Sequence, residues 1–102
     1  MAGQRLQSDA RYAGAYVRSR ADRGYGPQRI ALELKQRGAS AEIIQAALAE
    51  AECDWDELAA RADRKKFGIV IEREFAVIVK RRRHLEYRGF TTEQIKAVLN
   101  AE

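Results

Sequence analysis

Apolar side chains recur at helical spacing along most of the chain, and glycines interrupt the pattern at intervals. Ala10, Ala13 and Val17 share one side of a helix predicted over 9–23, with Arg11 and Arg18 on the other. Further helices are predicted over 27–37, 41–51, 55–66, 72–88 and 93–100. In the long fifth helix, Ile71, Phe75, Ile78, Arg82 and Leu85 fall within one arc at 100° per residue, and Arg73, Lys80, Arg83, His84 and Tyr87 cluster opposite. The first arc is expected to pack, with the Arg82 stem lying along the core or pairing with an acid. Tyr12, Tyr16, Tyr25, Trp55, Phe67 and Phe75 are expected in the core, and Arg20 is placed to stack on Tyr16 four residues earlier.

The helix ends repeat. Arg37-Gly38-Ala39-Ser40-Ala41-Glu42 and Arg88-Gly89-Phe90-Thr91-Thr92-Glu93 open two segments that both read R-G-x-[ST]-x-E-x-I-x-A-x-L. Gly38 and Gly89 supply the left-handed residue that ends a helix, and the arginine before each favours the exposed carbonyls. Ser40 and Thr91 are N-caps, and Glu42 and Glu93 sit in the positive first turn. Ile44 with Leu48, and Ile95 with Leu99, then lie on one face and must be buried. Gly24-Tyr25-Gly26 and Lys66-Phe67-Gly68 form a second echo, each an aromatic residue before a helix-breaking glycine, and Pro27 suits the first position of a new helix. Asp54-Trp55-Asp56-Glu57 reads as a capping box.

The unit is therefore helix, glycine stop, helix, glycine stop, helix. The prediction is an all-α chain of two tandem three-helix repeats, over 1–52 and 53–102, packed as one compact or elongated body. The glycine landmarks are 12 residues apart from Gly26 to Gly38 and 21 apart from Gly68 to Gly89, so the second unit has the longer middle helix.

Composition narrows the functional classes. A chain of 102 residues rich in Ala, Arg, Glu and Leu with one proline has room for little beyond such a body. The longest apolar run, Phe75 to Val79, is far short of the ~20 residues of a membrane span, and no apolar signal core follows Met1, so a cytoplasmic protein is expected. The lone Cys53 forms no internal disulfide, and the lone His84 is no zinc site. There is no phosphate loop, activated nucleophile or metal-ligand spacing, so no enzyme activity, cofactor, metal or small-molecule substrate is expected. The net charge of +4 is banded: +5 over 1–37, −6 over 38–63, +6 over 64–88 and −1 over the rest. Such bands suit a protein that touches nucleic acid with one surface and another protein with a second.

Arg18-Ser19-Arg20, Arg23-Gly24-Tyr25-Gly26-Pro27-Gln28-Arg29-Ile30 and Glu33-Leu34-Lys35-Gln36-Arg37-Gly38 resemble the middle unit of the RecX family. Lys65-Lys66-Phe67-Gly68 and Lys80-Arg81-Arg82-Arg83-His84-Leu85-Glu86-Tyr87-Arg88-Gly89-Phe90 are similar to its last unit. The resemblance implies tandem three-helix repeats, distantly like helix-turn-helix units. It also implies a regulator of recombination and DNA repair that binds the RecA filament beside its DNA and inhibits strand exchange, ATP hydrolysis and coprotease activity. Family members usually carry a further three-helix unit ahead of this region, where only Met1 to Ser8 stand here, and His84 occupies a position where an aromatic residue is common. The candidate contacts to single- or double-stranded DNA or to the RecA filament are Arg73, Lys80, Arg83, His84, Tyr87, Arg88, Lys65, Lys66, Arg11, Arg18, Arg23 and Arg29. The alternatives are a stand-alone helical DNA-binding module acting without RecA, and a fragment that only stacks or oligomerises.

Overall fold

The computed structural model describes residues 2–100, with side chains over 9–100. It contains six helices: α1 (Ala2–Asp22), α2 (Pro27–Gln36), α3 (Ala41–Glu50), α4 (Trp55–Phe67), α5 (Phe75–Arg88) and α6 (Thr92–Leu99), with no strand among the described residues. Helices α1, α2 and α3 pack on one another, as do α4, α5 and α6, which makes the chain an all-α protein of helical repeats. Its extents of 56 × 20 × 18 Å and radius of gyration of 15.4 Å describe an elongated body, against the roughly 13 Å of a compact chain of this length.

The caps foreseen from the repeat form. Ser40 Oγ accepts from the Ile43 N–H; Asp54 accepts from the Glu57 N–H, one half of the expected capping box, while the Glu57 carboxylate pairs with Arg64; and Thr91, expected as an N-cap, makes a reciprocal capping box with Gln94. Gly38 and Gly89 take φ of +96° and +99° after α2 and α5. Ala13, Val17, Ile30, Leu34, Ile44 and Ala47 form the first core; Ala59, Leu85, Phe90, Ile95, Val98 and Leu99 form the second. Trp55, at the first turn of α4, packs against both.

Helix α1 begins at Ala2, seven residues before the expected start. A larger correction concerns α5, which begins at Phe75 and not at residue 72. Gly68 stops α4 at a φ of +88°, and the β-branched run Ile69-Val70-Ile71 continues in non-helical backbone. With the helix starting later, the expected packing arc fails at two positions. Phe75 is 81% exposed, and Arg82 faces solvent while Arg81 is buried to 2%. Tyr12, also expected in the core, is about half exposed.

Arg81 explains the displacement. Its Nε and Nη2 donate to Asp63 Oδ1 and Oδ2 of α4 at 2.9 and 2.6 Å, its Nη1 donates to the Val70 carbonyl at 2.8 Å, and Nη2 reaches the Gly68 carbonyl at 3.1 Å. The guanidinium also lies over the Phe67 ring at 5.2 Å. One side chain thus joins α4 to α5 and fixes the segment between them. A buried charge is tolerated because each of the three guanidinium nitrogens meets an acceptor and the carboxylate supplies the opposite charge.

The two triplets meet end to end. The Gly26 N–H donates to the Arg88 carbonyl at 2.7 Å, and the Gln28 N–H donates to the Gly89 carbonyl at 2.9 Å. Orphan donors at the N-terminus of α2 thereby satisfy orphan acceptors at the C-terminus of α5, with the two helix dipoles in favourable apposition. The approach is so close that a Cβ on Gly26 would collide with the backbone of Gly89 and Phe90, whereas one on Gly38 would meet nothing. Because Gly26 has an ordinary φ of −92°, Gly26→Ala tests packing alone, and it should destabilise the protein by roughly 1–3 kcal/mol. Gly38→Ala, strained only in φ, should cost about 1–2 kcal/mol. Urea titrations monitored by helical circular dichroism should also show the triplets unfolding less cooperatively in the Gly26 variant, but not in the Gly38 variant.

Candidate nucleic-acid interface

A cleft of about 270 Å³ runs along the junction, lined by Arg23, Gly24, Ala62, Lys65, Lys66, His84 and Arg88. Each element contributes for a local reason. The glycine stop after α1 carries Arg23 past the helix end, where its carbonyl accepts from Arg88 Nη1 at 3.5 Å. Lys65 and Lys66 fall in the last turn of α4, where cations offset the exposed carbonyls. His84 and Arg88, four apart on α5, share one face. Four cations and one imidazole from both triplets therefore converge, and no carboxylate lines the cleft.

The surroundings of the imidazole favour its neutral form. Burial pushes the His84 pKa below the ordinary histidine range, and the charges of Lys66 and Arg88 push it the same way. Its ring meets Phe67 edge-on at a centroid distance of 5.6 Å, so the imidazole packs as a ring at the position where the family resemblance leads one to expect an aromatic residue. A histidine whose folded pKa is depressed contributes stability above its unfolded value near 6.5, and that stability is lost as pH falls from there through the folded value. Unfolding free energy measured at pH 7.5 and 5.5 should therefore drop with pH, and His84→Gln should flatten this part of the profile.

Beside the cleft lies an aromatic and guanidinium cluster. The Tyr25 ring has Arg20, Arg88 and Arg29 at 3.9, 4.6 and 4.8 Å from its centroid. Glu33 accepts from Tyr16 Oη at 2.7 Å, from Arg20 Nε and Nη2 at 3.1 and 3.0 Å, and from Arg29 Nε at 3.1 Å. Burial alone would raise the Glu33 pKa, but these donors outweigh it and hold the carboxyl below its usual range. The expected stacking of Arg20 on Tyr16 is present at 6.0 Å, and the contact with Tyr25 is the closer one.

The remaining candidates separate by location. Arg29 is engaged within the junction, since Nη1 donates to the Tyr87 carbonyl at 3.2 Å and its guanidinium covers the Tyr87 ring at 5.0 Å. Lys80, Arg83 and Tyr87 form an exposed stripe on α5. Arg73 donates to the Leu99 carbonyl at the C-terminus of α6, away from the cleft lining. Arg11 is exposed on α1, and Arg18 lines a separate pocket with Asp22, Glu52, Asp54, Glu57 and Arg61. The roles of Glu33, Asp63 and Arg81, and the close approach at Gly26, do not follow from the sequence pattern. The spacing of Arg29 and Glu33 as an i,i+4 pair is a signal that was open to use, while nothing in the run 80–83 singles out Arg81.

Among the described residues no helix is long and apolar enough to cross a membrane, and no cluster of metal-ligating side chains occurs. Residues 8–48 match the family model for the second three-helix domain of RecX. The regulatory protein RecX of Cronobacter sakazakii is 42% identical over 95 residues, which is 93% of this chain and 58% of that protein. Its namesake from Yersinia enterocolitica is 44% identical over 92 residues, 90% of this chain and 55% of the relative. That of Serratia proteamaculans is 43% identical over 90 residues, covering 88% and 54% respectively. The chain thus spans a little over half the length of these relatives. The glycine-delimited helix triplets, the repeated R-G-x-[ST] ends and these matches make the chain similar to regulatory RecX proteins over a little more than half of their length.

Proposed function

We propose that the chain regulates recombination and DNA repair by binding the RecA nucleoprotein filament and damping RecA activity, with the DNA backbone passing over the junction cleft. The observation that carries this reading is the convergence of Arg23, Lys65, Lys66 and Arg88 on one acid-free cleft built from both triplets. Phosphates are bound chiefly through such cations. The exposed ring of Tyr87, with Lys80 and Arg83 on the same stripe, extends the surface and offers a plane on which an unpaired base stacks. Residues 1–52 and 53–102 act in this scheme as two units, and a ligand in the cleft bridges them.

RecA-driven ATP hydrolysis on single-stranded DNA tests the reading. Added at substoichiometric to stoichiometric ratios, the chain should slow hydrolysis; unchanged hydrolysis at low salt overturns it. A stand-alone DNA-binding module would instead bind free DNA tightly and with sequence preference, whereas a filament regulator should prefer RecA-coated DNA to either component.

A further inference from the structure

On α4, Glu57 and Lys66 stand nine residues apart, which at 100° per residue puts them on opposite sides of the helix. The side away from the cationic cleft holds a larger groove of about 480 Å³. Its apolar lining comes from Ala60, Ile71, Ala97, Val98 and Ile69, the last 82% exposed. Asp54, Asp56 and Glu57 stand at one end. Only Arg64 opposes them, bridged to Glu57 at 3.2 Å, since the Asp63 carboxylate is already satisfied by Arg81. Arg81 also holds the carbonyls on both sides of Ile69, those of Gly68 and Val70. Ile69 is therefore presented to solvent on pinned backbone. With Ala60, Ile71, Ala97 and Val98 it makes one contiguous apolar lining edged by charged residues, and a polar-rimmed apolar patch of this kind marks a contact surface.

We propose that this groove docks a protein segment that presents an aliphatic or aromatic side chain next to a lysine or arginine. The acidic end repels a phosphate backbone and attracts a cation, while the floor takes an apolar side chain. The inference rests on the filament reading above: the occupant belongs to the protein coat of the filament, so DNA and protein are gripped on opposite sides of α4.

The test compares binding of the parent chain, Ile69→Ser and Asp56→Lys to bare single-stranded DNA and to the same DNA coated with RecA. Both side chains are exposed, so Ile69→Ser should melt near the parent, and Asp56→Lys, which sets a cation in the first turn of α4, should lose no more than about 1 kcal/mol and stay folded. Each variant should bind coated DNA at least tenfold more weakly. On bare DNA, Ile69→Ser should stay within twofold of the parent, and Asp56→Lys should be equal or tighter. The charge reversal is decisive because added positive charge strengthens any purely electrostatic attraction to the filament; weakening requires a specific contact. Binding to coated DNA within twofold of the parent in both variants overturns the groove assignment and leaves the filament reading standing. A parent chain that binds coated DNA no better than bare DNA overturns both. A dimer in sedimentation that disappears in Ile69→Ser assigns the groove to a second copy, which also overturns the proposal.

Discussion

Arg81→Met should destabilise the protein by roughly 3–5 kcal/mol, because it strands the Asp63 carboxylate in a site that is 2% accessible. The chain has on the order of 5–15 kcal/mol in total, so the substitution removes a large part of it. Asp63→Ala should be comparably damaging, since it leaves the guanidinium buried with no counter-charge on Asp63 and with the Gly68 and Val70 carbonyls as its remaining acceptors. The double variant Asp63→Leu with Arg81→Met should recover most of the loss. The pair's mutual attraction largely offsets its desolvation, and apolar side chains of similar volume fill the space. Arg82→Ala should change stability by no more than about 0.5 kcal/mol, as expected of a solvent-facing residue. Urea denaturation monitored by circular dichroism measures all four, and a loss below about 1 kcal/mol in Arg81→Met would refute the assignment of Arg81 as the tie between α4 and α5.

That one-residue displacement from Arg82 to Arg81 marks where the sequence stops being legible. Helices, caps and stops follow from local chemistry: Ser40, Asp54 and Thr91 accept the N–H three residues on, and Gly38 and Gly89 turn left-handed because nothing else in their segments does so cheaply. In sequence the fifth helix reads as starting at 72 because Glu72, Arg73 and Glu74 suit a helix and the 100° periodicity runs on through Ile71 and Phe75. What starts α5 later is a tertiary partner, Asp63, 18 residues away, which draws Arg81 inward and holds the 68–70 backbone out of a helix. The junction was equally hidden. The Gly26-Pro27 pair signals a helix start, but not that its N–H groups meet the end of α5. The cationic cleft was half legible: Arg23, Lys65, Lys66, His84 and Arg88 were all candidates, yet only their convergence separates them from Arg11, Arg18 and Arg73, which carry the same charge elsewhere.

Lys65→Gln combined with Lys66→Gln should weaken binding to single-stranded DNA by on the order of tenfold or more at low salt, equally for all sequences. If the four cleft cations each neutralise one phosphate, the slope of log K against log salt for the parent is about −0.7 × 4, or roughly −2.8, and the double variant should halve it to roughly −1.4. Glutamine is the informative replacement, since a carboxylate in the last turn of α4 would also act against the helix dipole. Both lysines are exposed, so the fold should persist. Arg18→Gln is the matched control: Arg18 is an arginine on the same chain, but its surroundings include Asp22, Glu52, Asp54 and Glu57, which already offset its charge. Its loss should leave the slope within a few tenths of the parent value. The same order should appear in RecA-driven ATP hydrolysis, with Arg18→Gln inhibiting like the parent and the double lysine variant needing more protein for the same slowing. Equal slopes in the parent and the double variant would remove Lys65 and Lys66 from the interface, and with them the argument that the cleft recognises a phosphate backbone.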